Sequence, residues 1–256
     1  MNLLGLLVAL YVGYASAGGA MVINAYIDRD IDILMNRTKK RASVGTDAIN
    51  PPEKIVLFGG TLVFTSIGLA FAYFNPLTAV FVAFGVFFYL IGYSLYLKRH
   101  SILNNIIGGL ASPVPVWVAY AAIEDTKMLL NWEAWLLGIL VFVWTPSHTW
   151  ALASKYHEDY RNAKIPVLPA LYGLKITARV TFLWIFLVVG YAVALSFVMS
   201  QGSPVPLLLL ILPNLWLIYS GYRFLRDPIE QTAYRCFKTH NIWLAITFVV
   251  IGALAI

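Results

Sequence analysis

The chain has 256 residues, 60% of them hydrophobic and 12% charged, and a mean hydropathy of +0.76. Soluble domains are about half apolar and a quarter charged, so the composition excludes an ordinary soluble domain and indicates a polytopic membrane protein. The net charge of +6 is distributed as membrane topology requires, so no nucleic-acid partner is expected.

Apolar runs of about 20 residues suit helical spans, and there is no ten-residue alternation of the kind that builds a barrel. Spans are predicted at about 2–23, 54–74, 77–97, 103–123, 132–154, 176–199, 204–224 and 238–256. Residues 1–23 lack the basic start of a signal peptide and run directly into acids, so they read as a true span. Basic residues fall in four loops on one side: Arg29 to Lys54, Lys98 and Arg99, Lys155 to Arg179, and Arg223 to Lys238. The opposite loops are nearly uncharged, apart from Glu124 to Glu133 with its lone Lys127. By the positive-inside rule the basic loops are cytoplasmic, and eight spans leave both chain ends outside. No linker or low-complexity tract interrupts residues 1–256, which read as one domain. The single Cys236 excludes an intramolecular disulfide and a paired-cysteine zinc site, and reads as an inert helix residue.

Polar residues gather at the cytoplasmic helix ends. Asn24, Asp28 and Asp32 stand at i, i+4 and i+8, which aims them at one helix face. Carboxylates are costly near lipid and are usually kept for a task. Two of them one turn apart, with an amide oxygen, suit Mg²⁺, a hard cation that takes its remaining ligands from water and a substrate phosphate. The cluster continues through Arg37, Thr38 and Arg41, and within it Asp30, Lys39 and Lys40 read as a solvated anchor. The next cluster, YSLYLKRHSILNNIIGG, offers Lys98 as a cation for an anionic ligand, while Arg99 reads as a span end. Asn105 opens the following span at the positive end of its dipole, a place suited to phosphate oxygens. In VWTPSHTWALASKYHEDYRNAKIPVLP, His148, Lys155 and Asp159 are spaced i, i+7, i+11 and are expected on one helix face, with Pro146 kinking the span. Lys155 and Asp159 also suit a plain helix salt bridge worth a few tenths of a kcal/mol, and Glu158 points away.

Acids for Mg²⁺ and several cations at one membrane face make a cradle for a diphosphate with a long hydrocarbon tail. Such charges stabilise a departing diphosphate, and aromatic faces can stabilise the allylic cation left behind.

The N-x-x-x-D-x-x-x-D pattern followed by arginine, read at Asn24, Asp28, Asp32 and Arg37, resembles the first motif of the UbiA superfamily of intramembrane prenyltransferases. The tracts YIDRDID with MNRTKKR, LKRHSILNNIIGG, TPSHTWALASKYHEDYRNAKIPVLP and RCFKTHNIWLAITF are similar to the heme-directed branch, the protoheme IX farnesyltransferases (heme O synthases). The first motif marks only the superfamily; its combination with TPSHTWAL and DYRNAKIPVLP is far more specific, and the tracts cover almost the whole chain. The resemblance implies an all-α transmembrane bundle around a central cavity, and farnesyl transfer from farnesyl diphosphate to a vinyl group of protoheme IX, giving heme O. It implies Mg²⁺ on Asp28 and Asp32 with Asn24 orienting them, a second Mg²⁺ at Asp159, and diphosphate contacts from Arg37, Arg41, Lys98, Asn105 and Lys155. Lys155 stands where the superfamily's second motif has its earlier acid, and His148 is implied at the porphyrin. Heme-handling or cytochrome oxidase assembly proteins are further expected partners, and a prokaryotic cell membrane is the expected location.

Two departures stand out. The family has nine spans, and its first helix, with a K-P-R-like sequence, has no counterpart ahead of Asn24 here. Ala42 and Lys164 stand where family members usually have Pro and Gly. A UbiA-type enzyme acting on a quinone precursor or another lipid acceptor is the alternative. A transporter is the remote one, since transporters hold ionisable groups near the bilayer midplane and this chain keeps them at one face.

Overall fold

A computed structural model describes residues 2–45 and 48–254. Thr46 and Asp47 of the first basic loop, and the last two residues of the predicted final span, lie outside the described residues. All described regular structure is helical, and the chain forms two compact units, residues 1–138 with 162–165, and residues 139–161 with 166–256.

In the first unit, α1 (Leu3–Ile27) starts on Asn2, whose side-chain oxygen accepts from Gly5 N–H at 2.8 Å. It carries no charge, and its buried positions are small or β-branched: Gly5, Val12, Ala15, Gly19 and Ala20. Leu3, Leu7, Tyr14 and Met21 are exposed, as suits a lipid-facing surface. The short α2 (Arg29–Asp32) comes next, and α3 (Glu53–Leu69) packs back on α1. A Cβ placed on Gly19 would lie 2.6 Å from Gly59 O, and one on Gly59 2.8 Å from Gly19 O. Helices in lipid associate through such close backbone approach rather than through the hydrophobic effect. The contact fixes the half of α1 that leads to Asn24.

α3 continues as a π turn to Phe74, and Asn75 joins it to α4 (Pro76–Phe87). The Asn75 side chain caps Thr78 N–H at 2.8 Å and donates to Ala121 O at 2.7 Å. Beyond α4 the chain winds as a π-helix from Phe88 to Leu97 and tightens into α5 (Lys98–His100). π turns widen the winding and re-aim the residues beyond them, and here the first residue beyond is Lys98. The unit also holds α6 (Asn104–Gly108), α7 (Val114–Glu124) and the start of α8 (Trp132–Lys155).

The second unit holds the rest of α8, α9 (His157–Asn162), α10 (Leu168–Met199), α11 (Val205–Arg226) and α12 (Glu230–Leu254). α10 is interrupted at Gly173, where φ is 75°, so its long apolar segment starts close to the predicted residue 176. The Trp243 indole donates to Asn214 Oδ1 at 2.8 Å, tying α12 to α11.

Among the described residues, seven helical segments are long and apolar enough to cross a membrane, matching seven of the eight predicted spans. The predicted eighth falls in α12, which begins at Glu230 with a polar first half and whose predicted end lies outside the described residues. Lys164 has a φ of 54°, in the left-handed region that favours glycine, at the position where family members usually have Gly.

This backbone makes two substitutions informative about stability. Gly59→Leu should lower the melting temperature in detergent through overpacking of about 1–3 kcal/mol, whereas Gly60→Ala, which meets nothing within 4 Å, should not. Lys164→Gly should melt at or above the parent temperature, since a left-handed residue with a Cβ costs about 1–2 kcal/mol, and Lys164→Val below it, since a β-branched side chain fits that region worse still.

Candidate active site

The acid ladder survives a break in its helix. α1 closes at Ile27, and Asp28, with φ −90° and ψ 3°, caps it and precedes α2. Backbone bonds still run from Asp28 N to Asn24 O at 2.9 Å and from Asp32 N to Asp28 O at 2.8 Å, so the i, i+4, i+8 register holds. Asp28 is 0% exposed and Asp32 2%. A carboxylate buried this far costs several kcal/mol unless it is paired.

Both are paired with cations from other segments. Lys98 Nζ lies 2.5 Å from Asp28 Oδ2, and Arg41 donates to Asp32 Oδ2 at 2.7 Å. Arg41 reaches back because the chain after α2 folds through successive turns, with Thr38 Oγ1 donating to Asp32 O at 2.9 Å. Arg99 holds both oxygens of Asp30, at 2.6 and 2.8 Å, and donates to Ile27 O at 3.0 Å. Its second amino group is 3.6 Å from Asp28 Oδ1. The Arg99 hydrogen bonds hold the Asp30 carboxyl below its ordinary pKa. Asp30 and Arg99, read from sequence as anchor and span end, are thus tied to the site. Their 69-residue separation leaves no local signal for the pair.

Asn24 Oδ1 and Asp28 Oδ1 are buried and make no hydrogen bond, and neither does Asn105 Nδ2. Two such oxygens beside Asp32 are a donor set of the kind a hard divalent cation takes. No group of three His, Cys, Asp or Glu side chains among the described residues could hold a metal alone. Mg²⁺ is usually bound by one or two carboxylates and completed by water and phosphate. Arg37 stands exposed in the turn after α2. Lys98, Arg41 and the acids are brought together, while Asn105 is the second residue of α6, whose first residue, Asn104, bonds through its amide to Lys98 O at 3.5 Å.

The second unit carries the remaining predicted residues. α8 ends at Lys155 and α9 begins at His157, so Asp159 does not share one continuous helix with His148 and Lys155 as the spacing predicts. Asp159 is buried. Lys155 Nζ lies 3.3 Å from Glu230 Oε2, and Glu230 Oε1 lies 3.7 Å from His157 Nδ1. Pro146 sits inside α8, where it removes a backbone donor. Nearby carbonyls find side chains: Thr145 Oγ1 donates to Val141 O at 2.7 Å and the Trp184 indole to Val143 O at 2.7 Å.

The His148 ring stacks on Trp144 with centroids 4.0 Å apart and leans on Phe237 at 4.6 Å. Its Nδ1 is buried without a hydrogen-bond partner. Next to it lies His240, fully buried, with Nδ1 2.9 Å from Cys236 O and Nε2 3.0 Å from Ser147 Oγ. A carbonyl only accepts, so Nδ1 carries the proton and Nε2 accepts from Ser147. The Trp144 indole donates to His240 O at 3.1 Å. His240 and Ser147 are absent from the predicted site; the sequence signal was a His one turn after Cys236 in the polar half of α12.

The chain matches the model of the UbiA prenyltransferase family over residues 1–246. It is 37% identical over 248 residues to a protein of Gloeobacter violaceus named protoheme IX farnesyltransferase, covering 96% of this chain and 79% of that one. Proteins of the same name from Saccharolobus islandicus and Paenarthrobacter aurescens are each 35% identical, covering 95% and 97% of this chain and 83% and 78% of theirs. Among solved structures it is similar to a chain described in work on digeranylgeranylglyceryl phosphate synthase in membranes, with a TM-score of 0.73 and 17% identity over 100% of this chain and 87% of that one. It is also similar to a UbiA homolog from Archaeoglobus fulgidus bound to DMAPP and Mg²⁺, with a TM-score of 0.67 and 15% identity over 99% of this chain and 89% of that one. With its apolar helices, its buried acid ladder and relatives at this identity over nearly its full length, the chain belongs to the UbiA prenyltransferase family, as an integral, multi-pass membrane protein.

Proposed function

We propose that this protein transfers a farnesyl group from farnesyl diphosphate to a vinyl group of protoheme IX, giving heme O and diphosphate. The observation that carries the diphosphate half is the pair of buried carboxylates, Asp28 and Asp32, each faced by a cation. The shared name of the relatives, with the aromatic cage around His148, supports heme as the acceptor.

Asp28 and Asp32, with the Asn24 amide oxygen, hold one Mg²⁺, and Asp159 in the second unit is assigned a second. Bound there, Mg²⁺ supplies positive charge against the diphosphate. Lys98, Arg41, Arg37 and Lys155 are assigned to the diphosphate oxygens, and Asn105 offers its unbonded amide donor. Their charge stabilises the oxygen that gains an electron pair as the C–O bond of farnesyl diphosphate breaks. The allylic carbon then forms its bond to the vinyl carbon of heme, and water adds at the neighbouring carbon and loses a proton. The Trp144 and Phe237 rings hold His148 in one orientation, with a free Nδ1 for a porphyrin group. The basic loops are assigned to the cytoplasmic face of a prokaryotic membrane, from the positive-inside bias.

Purified protein in detergent, given heme b, farnesyl diphosphate and Mg²⁺, should yield heme O by mass spectrometry. Prenylation of a quinone precursor with no heme O would overturn the heme assignment. Asp28→Asn should lower turnover by about 10²–10³-fold, the size of a lost electrostatic stabiliser; turnover at the parent rate would reject the acid's role. His148→Ala should weaken heme binding, followed by its absorbance, by about tenfold, or 1.4 kcal/mol, and parent-like affinity would remove His148 from the heme site.

A further inference from the structure

Arg99 carries one more charge than the diphosphate reading needs, and its surroundings explain why it is held where it is. Asp28 lies between two cations, Lys98 at 2.5 Å from Oδ2 and Arg99 at 3.6 Å from Oδ1. Only the first makes a hydrogen bond to it. The Arg99 guanidinium spends its good bonds elsewhere: two on Asp30 and one on Ile27 O. Bidentate carboxylate–guanidinium pairs of this kind fix geometry as well as charge. The Ile27 carbonyl is at the last residue of α1, immediately before Asp28, so the same side chain also pins the backbone that aims Asp28. Behind the pair opens a cavity of about 480 Å³, lined by Tyr26, Arg29 and Leu95 together with Asp30 and Arg99. Arg29 does not neutralise Asp30 from there: its guanidinium lies over the Tyr26 ring, 4.3 Å from the centroid.

We infer that Asp30 and Arg99 are a positioning pair for the metal-binding acid: Asp30 draws the Arg99 charge away from Asp28 Oδ1 and so keeps that oxygen open to a divalent cation. This rests on the proposed role of Asp28 in holding a metal. The carboxylate of Asp30 is the only acid on the cavity side of Arg99 among the cavity-lining residues. Without it the guanidinium has water on that side and Asp28 on the other. It then closes the 3.6 Å gap and occupies the oxygen that the cation needs. Asp30 thus acts through Arg99, without touching metal or substrate.

The test uses Mn²⁺ as the probe, with inorganic pyrophosphate, on the full chain in detergent, and reads Mn²⁺ affinity by electron paramagnetic resonance. Asp30→Asn should weaken Mn²⁺ binding by about tenfold, the usual cost of removing an outer partner of a metal ligand. Adding Arg99→Gln to Asp30→Asn should restore affinity to within about threefold of the parent, because the competing charge is then gone. A merely structural role predicts the opposite, with the double variant at least as weak as the single one. Asp30→Glu, which keeps the charge, should stay near the parent. Unchanged affinity in Asp30→Asn, or no recovery in the double variant, would overturn the inference. If Asp30→Asn does not fold, Arg99→Lys carries the same test. A lysine cannot hold both Asp30 oxygens in the same fork, so its charge is shared with Asp28 and Mn²⁺ affinity falls about threefold; no fall overturns the inference. Failure of the metal reading itself looks different: the parent then binds no Mn²⁺, or Asp28→Ala binds it as the parent does.

Discussion

Two carboxylates with almost no exposure stand at the end of a helix that carries no charge of its own, and the first unit is arranged around pairing them with cations. An unpaired buried charge costs several kcal/mol, comparable with the whole stability of a small domain. Asp28 and Asp32 therefore demand cations, and α1 and α2 supply only Arg29, which lies over Tyr26. Lys98 arrives from 70 residues away and Arg41 from nine. The Gly19–Gly59 contact holds α1, the π winding through Leu97 sets where Lys98 points, and the turns after α2 bring Arg41 home. The glycine contact would serve any helix pair in lipid; the placement of Lys98 and Arg41 serves a bundle that carries acids.

The second unit solves a related problem with neutral groups. Pro146 takes a donor out of α8 where no water is available, and lipid offers no substitute. The Trp184 indole and the Thr145 hydroxyl supply hydrogen bonds to carbonyls in that stretch. Two further bonds run from Trp144 and Ser147 to His240, one on either side of the proline. These bonds brace α8 on both sides of Pro146. The His148 ring packs against Trp144 and Phe237 and leaves one nitrogen without a hydrogen bond. A histidine with no task would be expected to find a partner for that nitrogen, as His240 does for both of its own.

How much could be read from the residues depends on the range of the forces involved. Spans are set by runs of apolar side chains, and seven of the eight predicted ones stand as segments able to cross a membrane. The predicted end of the eighth lies outside the described residues. The ladder of Asn24, Asp28 and Asp32 was legible because its spacing is local, and it holds even though the helix breaks at Asp28. The expected face of His148, Lys155 and Asp159 rests on the same logic and fails at Tyr156, where the helix stops and restarts. Lys155 turns to Glu230, 75 residues on. Arg99 and Asp30 read as surface charges because each is ordinary in its own stretch. Their meaning lies in a pairing between segments that no local pattern encodes. The π-helix before Lys98 is equally silent in composition, since the residues that form it suit an α-helix as well.

The pairing also bears on how a bundle with buried acids can receive a multiply charged ligand. Lys98 and Arg41 pair with the carboxylates assigned to the metal, and both are assigned to the diphosphate under the proposed reaction. Under the proposed reaction a divalent cation held by Asp28 and Asp32 would take over the neutralisation of those acids. Lys98 and Arg41 would then be available to the diphosphate. No charge would be left buried alone with the metal bound or without it. Arg99 would stand outside that exchange, since its two short bonds are to Asp30. A site with three exchangeable cations would hold its acids more firmly and yield them less readily to a metal; two exchangeable cations and one fixed one would pair the acids without closing them off.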